Sequence, residues 1–168
     1  MTYTIGTGID KSPLLNDISI ALKNNETDVI FEKGNPDPEI QHGEPLSQYY
    51  NFYYGHCPNG ITKVHPVKNI TYKNVWPNID VHFALKEKGL EYDFIVHPGG
   101  NAADIVLQYH GAEVTVNPTN EELTIHSCLG NITEYIPAIT QADEKLSGAY
   151  QVKKIGHLRC EVKFQIED

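Results

Sequence analysis

The stretch IDVHFALKEKGLEYDFIVH, residues 79–97, decides the fold class, because apolar residues alternate with other residues on both sides of KEKG (86–89). A strand sends successive side chains to opposite faces, so two alternating runs around a short polar loop predict an antiparallel hairpin. With KEKG as the loop, the pairs on one face are Ile79 with Val96, Val81 with Phe94, Phe83 with Tyr92 and Leu85 with Leu90. We expect this apolar face to be buried.

The other face of the predicted hairpin holds the ionisable residues. In the same register the pairs are Asp80 with Ile95, His82 with Asp93 and Ala84 with Glu91. The alternation predicts that these side chains face water. The structural interpretation is therefore an exposed ion pair between His82 and Asp93 beside a solvated Glu91.

The same residues also allow a catalytic hypothesis. A cross-strand carboxylate on Asp93 could orient the imidazole of His82, and Glu91 and Asp93 have the spacing of paired glycosidase carboxylates. No Ser, Cys or third orienting group is tied to them by spacing. Nucleophilic catalysis needs such a partner. We therefore expect no enzymatic activity, and hydrolysis by His82, Glu91 and Asp93 is the lesser alternative.

Alternation with a period of two recurs along the rest of the chain, for example in DISIALK (17–23), TDVIFE (27–32) and LRCEVKFQI (158–166). In the last of these, Cys160 falls on the apolar side and is expected inside. The pattern predicts an all-β antiparallel fold of about a dozen short strands in two packed sheets, in the manner of a β-sandwich. We expect a single β-rich domain over residues 1–168, with the membership of residues 1–25 left open.

Charge and cysteine content exclude several classes of function. The chain has 13 basic and 22 acidic residues and a formal charge of -9, which would repel nucleic acid. No apolar run approaches the roughly 20 residues that cross a bilayer. No metal or cofactor is expected, since His56, Cys57 and His65 lack a metal-site spacing. Cys57 and Cys128 could form a disulfide, which the sequence does not decide.

The aromatic residues Tyr49, Tyr50, Phe52, Tyr53, Tyr54 and Trp76 form the densest aromatic group in the chain. Packing in the core is the commoner use of such residues, and we expect it here. The alternative is a carbohydrate-binding platform on exposed Tyr50, Tyr53, Tyr54 and Trp76. Exposure of two neighbouring rings would favour that alternative. The Pro- and Gly-rich segment GNPDPEIQHGEPLS (34–47) precedes this group and predicts a connection without regular structure.

Several segments resemble a bacterial domain of unknown function. The matching stretches are NPDPEIQHGEPL (35–46), YNFYYG (50–55), ITYKNVWPNIDVHF (70–83) and GLEYDFIVHPGGNAADIVLQYHGA (89–112). The motif residues within them are Tyr72, Asn74, Val75, Trp76, Pro77, Ile79 and Asp80, then Leu90, Glu91, Tyr92, Asp93, Phe94, Val96, Pro98 and Gly99. The family is found near the N-termini of large secreted or cell-surface proteins with β-propeller-type (SBBP) or PKD repeats, and with type IX secretion signals in Bacteroidetes.

The resemblance implies an extracellular β-rich module with no established catalytic role. The family usually opens with an N-K-G-Q-like segment and often runs on to a further strand, so the chain is interpreted as an excised piece of a longer protein. Such a module would dock, space or present the other domains of its parent protein, contact another surface protein, or bind glycans. The opening segment MTYTIGTGID has no basic stretch followed by an apolar core, so we expect no secretory signal in this chain. We interpret the motif itself as architectural, with Asp80 and Asp93 accepting backbone N–H groups.

Overall fold

The computed structural model describes residues 2–7, 18–22, 25–86, 89–119, 121–127, 130–135, 138–141 and 144–167. Within them the strands are β1 (Thr2–Thr7), β2 (Ile18–Leu22), β3 (Asn25–Phe31), β4 (Glu39–His42), β5 (Tyr50–Tyr54), β6 (Cys57–Val64), β7 (Asn69–Trp76), β8 (Ile79–Lys86), β9 (Gly89–Val96), β10 (Val106–His110), β11 (Glu113–Val116), β12 (Glu122–Ser127), β13 (Gly130–Tyr135), β14 (Ile139–Gln141), β15 (Glu144–Gly156) and β16 (Arg159–Glu167). A 3₁₀ turn spans Ala102–Asp104. The all-β prediction is confirmed, with more strands than expected.

Eleven strands form one antiparallel sheet in the order β2-β3-β10-β16-β15-β14-β1-β9-β8-β7-β4. The long strand β15 serves both halves of this sheet: its first residues pair with β14, and the stretch from Ser147 to Gly156 pairs with β16. Strands β1 and β2 pair with β9 and β3, so parts of the N-terminal segment belong to the sheet. Over the described residues, no helix is long and apolar enough to cross a membrane.

The core lies between the two halves of the eleven-stranded sheet. The Phe31 ring of β3 packs edge-on against Trp76 of β7 and Phe94 of β9, with centroid distances of 5.4 and 6.4 Å. Phe94 also contacts Phe164 of β16 at 5.6 Å. Side chains from β3 and β16 thus meet those of β7 and β9. The predicted sandwich-like packing is confirmed.

The hairpin β8–β9 has the predicted register at every position, from Ile79 opposite Val96 to Leu85 opposite Leu90. Its apolar face is largely buried, but Leu85 is 63% exposed because it lies beside the turn of the hairpin. Lys86 and Gly89 are themselves paired, so the loop is shorter than the predicted KEKG. The inward orientation predicted for Cys160 is also confirmed.

Two smaller sheets complete the described structure, one of β11-β12-β13 and one of β5-β6. In the first, Val114 lies opposite Ile125 and Val116 opposite Leu123, as the alternation predicts. The segment 34–47 was expected to lack regular structure, and this is wrong for β4. That short strand pairs with β7 at the edge of the large sheet, where few residues suffice for pairing.

Candidate functional site

A bulge in β7 brings a backbone amide to Asp80. The pairing of β7 with β8 shifts between Tyr72 and Trp76, so that three residues of β7 stand opposite Asp80 alone. Within this bulge Asn74 adopts a left-handed conformation, with φ of 51°, which Asn tolerates better than most residues. Its N–H donates to Asp80 Oδ1 at 2.8 Å. Asp80 therefore accepts a backbone N–H, as the sequence indicated.

Two basic side chains converge on the other carboxylate oxygen of Asp80. Lys73 Nζ forms an ion pair with Oδ2, and His97 Nε2 lies 2.7 Å from the same atom. Burial by itself raises the pKa of the Asp80 carboxyl, but the hydrogen bonds from Lys73, His97 and the Asn74 amide hold that pKa below its usual value. Asp80 is thus an ionised carboxylate, and both of its oxygens accept hydrogen bonds from the surrounding donors.

The expectation that Asp80 faces water is wrong, since its side chain is only 1% exposed. The bulge of β7 and the segment from His97 to Gly100, which follows β9, cover the Asp80 side chain. In that segment the Gly100 N–H donates to the His97 carbonyl at 2.9 Å, and Gly99 has φ of 90°. Pro98 and Gly99 thus hold the second and third positions that a type II turn favours. The His97 N–H in turn donates to the Asn78 carbonyl at 2.9 Å.

Trp76 belongs to the core. It is 3% exposed, and its ring contacts Phe31 and Phe94. Its indole Nε1–H donates to the Glu32 carbonyl at 2.9 Å, which satisfies the polar edge of a buried indole. Trp76 therefore offers no ring face to a sugar. Through its contact with Phe31 of β3, Trp76 packs the motif strand β7 against the opposite half of the sandwich.

His82 and Asp93 lie opposite each other on β8 and β9, as predicted. Both are half-buried rather than exposed, and among the described residues no hydrogen bond or ion pair joins them. The His82 Nδ1 lies 2.7 Å from Thr71 Oγ1, whereas Asp93 Oδ1 is buried and lacks a hydrogen-bond partner. Glu91 stands opposite Ala84, one pair further along. The three residues are neighbours on one sheet face, without the relay that acid–base catalysis uses.

A carboxylate that the sequence analysis did not single out, Glu134 of β13, is buried with three tyrosines. It is 2% exposed. Its Oε2 accepts the hydroxyls of Tyr109 at 3.1 Å and Tyr92 at 3.4 Å, while the Tyr150 hydroxyl donates to the Tyr135 carbonyl at 3.0 Å. Burial raises the pKa of Glu134 to about 7, against the lowering effect of the two tyrosine hydroxyls.

The hydrogen bonds of Glu134 join the small sheet β11-β12-β13 to both halves of the sandwich, since Tyr92 lies on β9 and Tyr109 on β10. A sequence signal for this position exists. Ile132 and Glu134 alternate along β13, and Glu134 lies opposite buried Leu123 of β12. The same alternation that predicts an inward Ile132 therefore also predicts an inward Glu134.

Strands β5 and β6 with their connecting turn, residues 50–64, form what we call the aromatic arm. The arm departs from the large sheet between β4 and β7 and pairs within itself, with Phe52 opposite Ile61. Its large side chains are exposed, up to 70% for Tyr53. The prediction that these aromatic residues pack in the core is wrong, because only Trp76 of the group does so.

Rings form a row along one side of the arm. Tyr50, Phe52 and Tyr54 alternate on β5, and their neighbouring centroids are 6.4 Å apart. The Phe52 and Tyr54 planes are parallel within 1°, and His56 continues the row at 5.5 Å from Tyr54. We call these four residues the ring row. An exposed row of this kind is a candidate binding surface.

A cleft of about 410 Å³ lies at the end of the sandwich, beside the Trp76–Pro77 turn. Its charged lining residues are Glu32, Lys33, Asp104, Glu161 and Lys163. Two of them, Lys163 and Glu161, form an ion pair of 3.3 Å. His82, Glu91 and Asp93 do not line this cleft.

No group of three or more His, Cys, Asp or Glu side chains that could hold a metal ion occurs in the part of the chain that the structure describes. His65 Nδ1 lies 2.8 Å from the Leu46 carbonyl, and His56 stacks on Tyr54. Cys57 and Cys160 are free thiols. The proposed bridge between Cys57 and Cys128 lies outside the described residues, since Cys128 is not among them.

The fold and these contacts define a β-sandwich module with a projecting aromatic arm. A family model described as Domain of unknown function (DUF7948) matches residues 7–168, and the chain belongs to that family. The resemblance to a domain of unknown function is thereby confirmed. No curated protein and no solved structure matches the chain.

Proposed function

We propose that this chain is a non-catalytic, extracellular β-module that docks or presents the neighbouring domains of a large bacterial surface or secreted protein. The main observation in support of this proposal is the exposure of the aromatic arm. A two-stranded hairpin alone is marginally stable in water, yet this one holds exposed rings of Tyr50, Phe52, Tyr53 and Tyr54 outside the core. An exposed apolar patch of this kind is typical of a surface that another macromolecule covers.

The local charge of the chain supports contact with a partner at the arm. No acidic residue occurs between Glu44 and Asp80, although the whole chain carries a formal charge of -9. Lys63 and Lys68 lie in this acid-free segment. An acidic or neutral partner surface therefore meets less repulsion here than at the average surface of the domain.

The state of the candidate catalytic residues supports a non-catalytic role. His82 is engaged with Thr71, and among the described residues it makes no hydrogen bond to Asp93. A general acid or base must be oriented within reach of its substrate. His82, Glu91 and Asp93 do not line the cleft beside Trp76.

Hydrogen–deuterium exchange tests the docking role. Amides of residues 50–64 should exchange more slowly in the full-length polypeptide that the gene encodes than in the 168-residue chain, at sub-micromolar concentration of each. Residues of β4, which pair with β7 in both proteins, serve as the internal control. Equal exchange of the arm in the two proteins would refute docking by neighbouring domains.

Carbohydrate binding is the second candidate, and the ring row favours it because sugar rings stack on exposed aromatic faces. Affinity electrophoresis in gels that contain polysaccharides tests it. Retardation by a glycan should be lost in Phe52→Ala and Tyr54→Ala but retained in Tyr135→Ala. Tyr135 is the matched control, because its ring is exposed on β13 and is not part of the arm. Equal retardation of all three variants would remove this candidate.

A further inference from the structure

The two outer edges of the aromatic arm differ in their capacity to pair with another strand. The β6 edge contains Pro58, which has no N–H to donate. Its register against β5 is irregular at two places, and both Gly60 and Lys63 adopt left-handed conformations, with φ of 68° and 57°. Prolines and bulges are the features by which proteins block an edge strand. The β6 edge is therefore closed to strand addition.

The β5 edge has none of these features. Its sequence, YNFYY, contains no Pro, Gly or charged residue, and among the described strands β5 pairs with β6 alone. The Asn51 side chain accepts the Lys63 N–H at 2.9 Å, which holds β5 against the bulged strand. An exposed, regular and apolar edge of this kind is a template for strand pairing.

The order of residues along β5 is self-complementary. Tyr50, Phe52 and Tyr54 share one face, and the pattern Tyr-x-Phe-x-Tyr reads the same in both directions. In an antiparallel pair of two such strands centred on Phe52, Tyr50 of one copy lies opposite the partner's Tyr54. Every position on this face then pairs aromatic with aromatic, which is a favourable cross-strand combination.

The distribution of charge also favours a second copy as the occupant. Two chains of formal charge -9 repel each other over most of their surfaces. Strand β5 has no charged residue, and the acid-free segment around it extends from residue 45 to residue 79. Antiparallel pairing through β5 thus places no like charges directly opposite each other.

We propose that two copies of this chain pair antiparallel through β5, with Phe52 on the two-fold axis. The product is a four-stranded sheet in the order β6-β5-β5-β6. A two-fold interface uses the same patch on both copies, and the symmetric pattern of β5 meets that requirement. The inference rests on the proposed role of the arm as a contact surface, and it names a second copy as the occupant of the β5 edge.

Sedimentation velocity from low to high micromolar concentrations tests the pairing. The wild-type chain should show a monomer–dimer equilibrium. Phe52→Glu and Phe52→Lys should each raise the dissociation constant at least about tenfold, because like charges then meet on the axis. An equimolar mixture of the two variants should dimerise again. Tyr135→Glu, on an exposed ring of β13, is the control and should dimerise as the wild type does.

A second pair of variants tests the register. Tyr50→Glu mixed with Tyr54→Lys should form heterodimers, because these positions lie opposite each other only when Phe52 is on the axis. Circular dichroism and the fluorescence of Trp76 verify that every variant is folded.

A wild type that stays monomeric throughout, a dimer insensitive to Phe52→Glu, or a charge-swapped mixture that stays monomeric would each overturn the proposal. A monomer whose arm is still protected in the full-length polypeptide removes self-pairing and leaves the docking role. An arm that is unprotected in both proteins removes the docking role as well.

Discussion

Replacement of Asp80 by Ala should destabilise the domain by about 3 kcal/mol. The variant loses the hydrogen bonds from the Asn74 amide, His97 and Lys73, each of the kind worth about 1.5–3 kcal/mol when one partner is charged. His97 is 44% exposed and Lys73 is partly exposed, so water replaces part of what they lose. The Asn74 N–H remains inside the bulge without its acceptor, and this accounts for a large share of the cost.

Urea denaturation followed by the fluorescence of Trp76, the single tryptophan, measures this change. The melting temperature should fall by roughly 6–12 °C for a chain of this size. Asp93→Ala is the matched control, because Asp93 has the same side chain on the next strand but a buried oxygen without a partner. We expect it to cost less than about 1 kcal/mol.

The pH dependence gives an independent check on Asp80. Its pKa is lower in the folded protein than the ordinary value of 3.8. The stability that it contributes is therefore present above about pH 4 and is lost as the pH falls through the folded pKa. Asp80→Asn should flatten this acid limb of the stability profile. A loss below about 1 kcal/mol together with an unchanged acid limb would refute the anchoring role.

Three further predictions concern other parts of the fold. The pKa of Glu134 is raised to about 7, so the folded state holds a proton that the unfolded state releases near 4.5. The free energy of unfolding should therefore fall by roughly 3 kcal/mol as the pH rises between these two values. Urea titrations at several pH values should show no such fall for Glu134→Gln. Gly148→Ala should destabilise by about 1–3 kcal/mol in thermal melts, since a Cβ there would clash with Cδ1 of buried Ile139 and lie 3.2 Å from the Gln165 carbonyl oxygen. A neutral result would contradict the tight contact of β15 with β14. Cys57 should react with a thiol reagent in the native protein, whereas Cys160, 3% exposed, should react only after unfolding, as mass mapping of labelled peptides can show.

Local alternation was sufficient to predict the hairpin β8–β9. Seven cross-strand pairs follow from the period of two and a short polar loop, and the structure contains all of them. The alternation in VTVNPTNEELTIHS (114–127) places Val114 and Ile125 on one face of a second hairpin in the same way, and the structure pairs them. These are short-range consequences of strand geometry, since neighbouring side chains must alternate whatever the rest of the chain does.

Alternation does not say which face of a strand will be covered. Asp80 and Glu134 are buried because distant segments, the His97 turn and the tyrosines of β9 and β10, supply donors that offset the loss of hydration. Tyr53 and its neighbours are exposed because their hairpin pairs within itself rather than with the large sheet.

Short-range patterning in the amino-acid sequence is sufficient to predict the strand class, the register of the hairpin β8–β9 and the alternation of its faces. Long-range packing joins β15 to both halves of the sandwich, buries the ionised Asp80 and leaves the aromatic arm exposed. Strand periodicity acts between residues a few positions apart, so it specifies the first set of features and not the second. Burial depends instead on contacts between segments such as β9 and β13, which are far apart in the chain.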